Sequence, residues 1–304
     1  MKNLLISLCA IIALVACTES DVDNIGNNSG GQEPPKQPET TLNTPPVNEI
    51  WYTSTDGKIV IPDASTFGSA EIVSNVYENG KGIITFDGEI TAIADYAFYY
   101  KEIQSIAIPN SVTQIGDYAF RECDNLTYIT IPDGVTQIGN LAFNHCKNLT
   151  SVDIIDGATQ IGHAAFYDCE NLISITIPYG VTQIGYSVFN GCLSLTSIDI
   201  PESVTQIMAN AFRRCSSLTT IVIPSSVSTI EYGAFYNCNN LHTVDCKAIK
   251  PPTLSKGEDG MNAESVFGYC ESLSTINVPT ASVDAYKVAD GWKEYKSLIR
   301  GKDF

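Results

Sequence analysis

Leu195-Thr-Ser-Ile198-Asp-Ile200-Pro201-Glu-Ser-Val204-Thr-Gln-Ile207-Met-Ala-Asn-Ala211-Phe212-Arg-Arg-Cys215 decides the fold of this 304-residue chain, because its pattern returns along most of the sequence. Phenylalanine recurs every 23 residues, at Phe120, Phe143, Phe166, Phe189, Phe212 and Phe235, and a cysteine follows each one three positions later. A fixed period of this length means one small unit stacked on copies of itself, none able to bury its apolar face alone. The expected fold is therefore a repeat solenoid, mainly β. Alternation over Ile198-Asp199-Ile200 is a short strand with both isoleucines inward, ended by Pro201, which lacks the N–H that the next rung needs. The same pair occurs as Ile84/Phe86, Ile106/Ile108, Ile129/Ile131, Val152/Ile154, Ile175/Ile177, Ile221/Ile223, Val244/Cys246 and Ile276/Val278, which predicts nine rungs. At ~4.8 Å between strands the stack is about 38 Å long.

A second extended piece, Val-Thr-Gln-Ile, sends Val135 and Ile138 inward and leaves Thr136 and Gln137 in water. Stacking then aligns Gln114, Gln137, Gln160, Gln183 and Gln206 into an amide ladder, with the adjacent threonines beside it. Such a ladder is expected to hydrogen-bond along an outer face. Glycine follows at Gly116, Gly139, Gly162 and Gly185, but Met208 and Glu231 take the same place, so no positive φ is required there. The Ala-Phe-x-x-Cys segment puts Phe and Cys one turn apart, suiting a short helix or 3₁₀ piece packed on the core.

These residues resemble the BspA-like leucine-rich repeats of bacterial surface proteins, with the consensus Leu-x-x-Ile-x-Ile-Pro and then Val-x-x-Ile-Gly-x-x-Ala-Phe-x-x-Cys. The resemblance covers about residues 84–279 and implies a right-handed, curved leucine-rich repeat stack. It also implies adhesion, with a protein or glycan on host or bacterial surfaces as ligand. Departures are local: Ile155 replaces the proline of one unit, Phe98-Tyr99-Tyr100-Lys101 ends the first unit without cysteine, and nine residues are added between Phe235 and Phe267. That insertion forms a Pro- and Gly-containing surface loop over 250–263, a candidate contact loop. Open terminal rungs need covers. Residues 49–83, with Ile50-Trp51-Tyr52 and Lys58-Ile59-Val60-Ile61, form a small β cap, and 280–304 a helical cap with Ala285, Val288, Ala289 and Trp292 at helical spacing.

Residues 1–16 are a secretory signal, with Lys2 before an apolar run from Leu4 to Val15 that is too short to span a membrane. Leu14-Val15-Ala16-Cys17 resembles a bacterial lipobox, which implies cleavage before Cys17 and lipidation of that cysteine. Residues 17–48 are rich in Pro, Gly, Asn and acidic residues and read as a disordered tether. Glu19, Asp21 and Asp23 resemble the signal by which some Gram-negative gut bacteria export lipoproteins to the cell surface. The expected location is the outer membrane, lipid-anchored and facing outward, with periplasmic retention as the alternative. The net charge of -17 argues against nucleic acid and against adsorption to anionic lipid, leaving the lipid anchor as the one membrane contact.

Candidate chemistry is sparse. Cys123, Cys146, Cys169, Cys192, Cys215 and Cys238 fall in register, but parallel Cβ atoms ~4.8 Å apart suit neither a disulfide nor a tetrahedral metal site. They read as buried, small and apolar, with no metal and no cofactor. His145, His163 and His242 occupy three different repeat positions, and no phosphate loop or nucleophile motif is present. The chain is therefore expected not to be an enzyme. A glycan hydrolase using paired carboxylates is a remote alternative, since an open ladder does little to raise one pKa. What remains is the outward strand face. It carries the columns Ser105, Tyr128, Ser151, Ser174, Ser197 and Ala107, Thr130, Asp153, Thr176, Asp199, with Asp245 further on and Tyr179 at the margin. Tyr128, Asp153, Tyr179, Asp199 and Asp245 are the candidate ligand-binding residues. The expected activity is that of a monomeric, surface-tethered binding module. The uniformity of the repeats keeps open a structural envelope protein or an accessory subunit of a lipoprotein complex.

Overall fold

The computed structural model describes residues 44–154, 157–255 and 266–304. The signal segment, Cys17, the tether up to residue 43 and residues 256–265 of the loop lie outside the described residues. Strands Ile103–Ala107, Tyr128–Ile131, Ser151–Ile154 and Ser174–Ile175 pair side by side in parallel, with Ser105, Tyr128, Ser151 and Ser174 in register. Thr220–Ile223, Thr243–Cys246, Thr275–Pro279 and Ile299–Lys302 form a second parallel set. The Gln-Ile dipeptides build narrower ladders, Gln114–Ile115 to Gln160–Ile161 and Gln183–Ile184 to Gln206–Ile207. Between these sheets the phenylalanines stack almost parallel, with centroids 5.1 Å apart at Phe120–Phe143 and 5.2 Å at Phe212–Phe235. Phe120 through Phe235 are fully buried. The solenoid inferred from the 23-residue period is the observed architecture.

Bonds along the stack come from the threonines more than from the glutamines. Thr136 Oγ1 donates to Thr113 O at 3.2 Å, Thr159 Oγ1 to Thr136 O at 3.3 Å, and Thr205 Oγ1 to Thr182 O at 3.2 Å. The amide ladder closes at Gln183 Nε2 to Gln206 Oε1, 3.2 Å. A further ladder, not anticipated from the sequence, runs through the residue after each glycine. Asp117 Oδ1 accepts the Asn140 N–H at 2.6 Å, Asn140 Oδ1 accepts that of His163 at 2.9 Å, and His163 Nδ1 accepts that of Tyr186 at 3.2 Å.

The Ala-Phe-x-x-Cys segment keeps the i→i+3 bonds of a 3₁₀ turn but not a continuous helix. Arg121 N–H bonds Tyr118 O and Cys123 N–H bonds Phe120 O, both at 3.1 Å, while Phe120 and Glu122 send their N–H groups to Ala142 O and Asn144 O of the next turn. The alternation requires left-handed backbone at Tyr118 (φ 58°) and Glu122 (φ 58°), which breaks a helix after each turn. The glycines of Ile-Gly have no positive φ, as expected. Their requirement is close stacking: a Cβ on Gly139 would sit 2.5 Å from the Gly116 carbonyl carbon.

Three expectations need correction. The pair Ile84/Phe86 does not begin the parallel ladder, because Glu49–Ser54 inserts between Lys81–Phe86 and Ile103–Ala107, antiparallel to both. Ile50 and Tyr52 are fully buried, so this strand supplies the inward pair that closes the end of the stack. Asn79 and Gly80, both at positive φ, turn Ala70–Glu78 back onto Lys81–Phe86. At the other end the helix covers only Val283–Val288, and Val288 is 76% exposed while Tyr286 is fully buried. Gly291 at φ 80° redirects the chain, Trp292 enters the core through the 3₁₀ segment Trp292–Tyr295, and Ile299–Lys302 adds one more rung. The ladder is also interrupted in its middle. Ile198 and Ile200 point inward, yet residues 195–200 form no strand. The neighbouring Phe166–Phe189 spacing is 5.8 Å. Val188 precedes Phe189 there, but Val266 precedes Phe267 with that ring 5.4 Å from Phe235, so a valine at this position does not by itself set the wider spacing.

Candidate interaction surface

Outward side chains of the strand face are fixed by the inward burial of their neighbours, so the site is built by the sheet and not by mobile loops. Tyr128 and Asp153 come together there: the Tyr128 hydroxyl donates to Asp153 Oδ2 at 2.6 Å and lies 2.7 Å from Thr130 Oγ1. Partial burial and the facing carboxylate raise the Tyr128 pKa, so the ring stays neutral and its hydroxyl a donor. Asp245 is committed elsewhere, ion-paired with Lys302 Nζ at 2.6 Å and accepting from Asn277 Nδ2 at 2.7 Å. It ties the added rung to the stack. Asp199 is exposed on the interrupted rung, and Tyr179, 69% exposed, follows Pro178 outside the strand columns. The structure brings Tyr128 and Asp153 together; it does not bring Tyr179, Asp199 and Asp245 to them.

The cap contributes residues that the sequence reading missed. Val76 pairs with Ile83, Ile83 with Trp51 and Trp51 with Ala107 across successive antiparallel strands, all turned outward. Thr130 and Asp153 continue that row on the next rungs. Lys81 Nζ lies 3.1 Å from the Trp51 ring centroid, and Trp51 Nε1 donates to Glu49 Oε2 at 2.6 Å. The result is an apolar strip ending in a tyrosine and a carboxylate, with one cation and one anion at its side. Alternation in Ile50-Trp51-Tyr52 holds the signal: two inward residues leave Trp51 outward.

The cysteine column offers no nucleophile. Cys146 Sγ donates to Phe120 O at 3.0 Å and Cys169 Sγ to Phe143 O at 3.2 Å, the bond repeating from rung to rung. Burial pushes these thiols up, Cys123 to about 12, so none is a thiolate near neutral pH. Among the described residues no group of His, Cys, Asp and Glu could hold a metal ion. None of their helices is long and apolar enough to cross a membrane.

Stacked parallel rungs with inward isoleucine, phenylalanine and cysteine at 23-residue spacing define a leucine-rich repeat solenoid. A family model for the BspA type leucine rich repeat region matches in six copies, over residues 91–216, 136–250 and 182–287, and the chain belongs to this family. No curated protein matches the sequence. Among solved structures, the chain is similar to a leucine rich cell surface protein from Faecalibacterium prausnitzii, with 28% identity over 77% of this chain and 71% of that one, TM-score 0.52. It is also similar to a leucine rich repeat protein of T. pallidum, with 27% identity over 69% of this chain and 89% of that one, TM-score 0.53. Repeats of this family are typically protein-binding modules of surface proteins and typically not enzymes.

Proposed function

We propose that the chain is a surface-tethered binding module that captures a protein ligand on host or bacterial surfaces through the N-terminal half of its strand face. Lipid at Cys17 holds it to the outer membrane, and the segment to about residue 48 carries the solenoid away from the bilayer. The observation that carries this reading is the outward row Val76, Ile83, Trp51, Ala107, with Tyr128 and Asp153 adjoining it. Tryptophan and tyrosine at the centre of a polar-rimmed patch are the residues that most often dominate protein interfaces. The cell-surface character of the Faecalibacterium prausnitzii relative agrees with the address. The test is a binding screen of the mature chain against immobilised matrix proteins and whole bacterial cells. Trp51→Ala with Tyr128→Ala should weaken any interaction found by tenfold or more. Gln137→Ala with Gln160→Ala, on the opposite ladder, should leave it unchanged, with melting curves confirming that both variants fold. Loss confined to the glutamine variant would move the site to the other face.

A further inference from the structure

The column of buried thiols is followed by one that is not closed off. Cys123, Cys146, Cys169, Cys192, Cys215 and Cys238 are buried, whereas Cys270, three positions after Phe267, is only partly buried. Both chain neighbours of Cys270 face water: Tyr269 is 67% exposed and Glu271 is exposed. Cys238 Sγ donates to Phe212 O at 3.1 Å and Cys270 Sγ to Phe235 O at 3.0 Å, so the two sulfurs hold the same ladder position on adjacent turns. The Phe235 and Phe267 rings of these turns stack at 5.4 Å.

A second contact sets this pair apart. The Cys238 and Cys270 thiols also hydrogen-bond each other, whereas the thiols from Cys123 to Cys215 bond backbone carbonyls of the preceding turn. The insertion also breaks the period between them: Cys270 follows Cys238 by 32 residues instead of 23. Hydrogen bonding from Cys238 lowers the Cys270 pKa, and the same bond together with burial raises that of Cys238. A partly exposed thiol that ionises readily, beside a second thiol shielded from water, is the arrangement of an attacking and a resolving cysteine.

We propose that Cys238 and Cys270 are an oxidisable pair that closes to a disulfide across the last two turns, while the six-cysteine column below them stays reduced from Cys123 to Cys215. The oxidant is a low-molecular-weight disulfide. The Cys270 thiolate attacks one of its sulfurs and releases the first thiolate, leaving a mixed disulfide on Cys270. Cys238 then attacks the Cys270 sulfur and displaces the second thiolate, which takes up the Cys238 proton. Two protein thiols are thereby oxidised to one S–S bond, and the external disulfide is reduced to two thiols. The new bond ties residue 238 to residue 270 and so clamps the foot of the insertion, restricting the unfolded chain more than the folded one.

The test is mass spectrometry of the folded mature chain, carrying Cys17→Ala so that the anchor cysteine takes no part, after equilibration with reduced and oxidised glutathione. Oxidising mixtures should yield a protein lighter by two hydrogens, whose tryptic digest joins residues 215–247 to residues 257–287. Cys238→Ala and Cys270→Ala should each abolish that link, and Cys246→Ala should retain it. In the reduced parent, native alkylation should modify Cys270 at least tenfold faster than Cys146 or Cys169. The oxidised form should melt at a higher midpoint than the reduced one. The proposal is overturned if glutathione leaves the mass unchanged or stays attached at Cys270 without closure, or if the link persists in Cys238→Ala. Alkylation of Cys270 no faster than of Cys146, or a bridge that lowers the midpoint, would overturn it equally, by showing a thiol as enclosed as the others or a bond the turns must distort to make.

Discussion

Glycine and cysteine carry the tightest constraints in this stack, and each leads to a measurable consequence. A Cβ on Gly139 would meet backbone of the preceding turn at 2.5 Å, whereas one on Gly185 would meet the His163 ring and a Val188 methyl at 3.1 and 3.3 Å. Backbone cannot step aside, but side chains can. Gly139→Ala should therefore lower stability by about 1 to 3 kcal/mol, and Gly185→Ala by less than about 1 kcal/mol, as read from urea midpoints at equal slopes. Equal losses at both sites would mean that conformational freedom, not stacking distance, is the cause. The cysteines have a pH signature. Their folded pKa values lie above the ordinary thiol value near 8.5, so above that pH the unfolded chain releases protons that the folded chain retains. The stability held below about pH 8.5 is lost as pH rises towards 12, with Cys123, Cys146, Cys169, Cys192 and Cys215 acting in the same sense. Urea midpoints measured from pH 7 to 11 should fall steeply, and less steeply in a Cys146→Ala, Cys169→Ala variant. Equal slopes in the two proteins would show that the thiols do not drive the loss.

Elements differ in how far the sequence revealed them. The inward pairs were legible because a strand that faces core on one side and water on the other must alternate, and this chain repeats that alternation from rung to rung. Hydrogen bonding between rungs was not legible. It depends on the spacing between turns, which no local pattern records: residues 195–200 form no strand although Ile198 and Ile200 still point inward. The caps were recognised as caps but their order was not, since antiparallel insertion of Glu49–Ser54 is a long-range pairing with no local trace. At the far end Ala285 and Val288 matched a helical stripe, yet Tyr286 is the residue that reaches the core, donating its hydroxyl to Ala248 O at 2.7 Å. The interruption predicts a soft joint. Amide hydrogens of residues 197–200 should exchange with deuterium well ahead of those of Thr220–Ile223, which are paired in a ladder. Equal protection in the two segments would mean that the stack closes there in solution.

At the scale of the whole molecule, the period that makes the fold legible hides the site. Ladder positions are copies, so function shows where a repeat departs from its neighbours or where a cap supplies what no repeat has. Tyr128 and Tyr179 stood out in the sequence as departures and Asp153 as one of the aspartates on alternate rungs; Trp51, Ile83 and Val76 did not, because register across the cap decides that they share a face with Tyr128 and Asp153. Delivery of that face is the remaining question, and the sequence provides a sharp test of it. Between Cys17 and Lys58 the one basic residue is Lys36, in a stretch rich in proline and polar residues. The 31 residues separating Cys17 from Glu49 would reach about 100 Å when fully extended, enough to leave Lys36 accessible outside the bilayer. Brief trypsin treatment of intact cells should therefore shed a large fragment that begins at Gln37, with the solenoid behind it protected by its bonded rungs. Cys17→Ala should abolish membrane attachment before any protease is added. Fragment release only after the outer membrane is permeabilised would place the protein on the periplasmic side, and a Cys17→Ala protein that still sediments with membranes would remove the lipid anchor from the account.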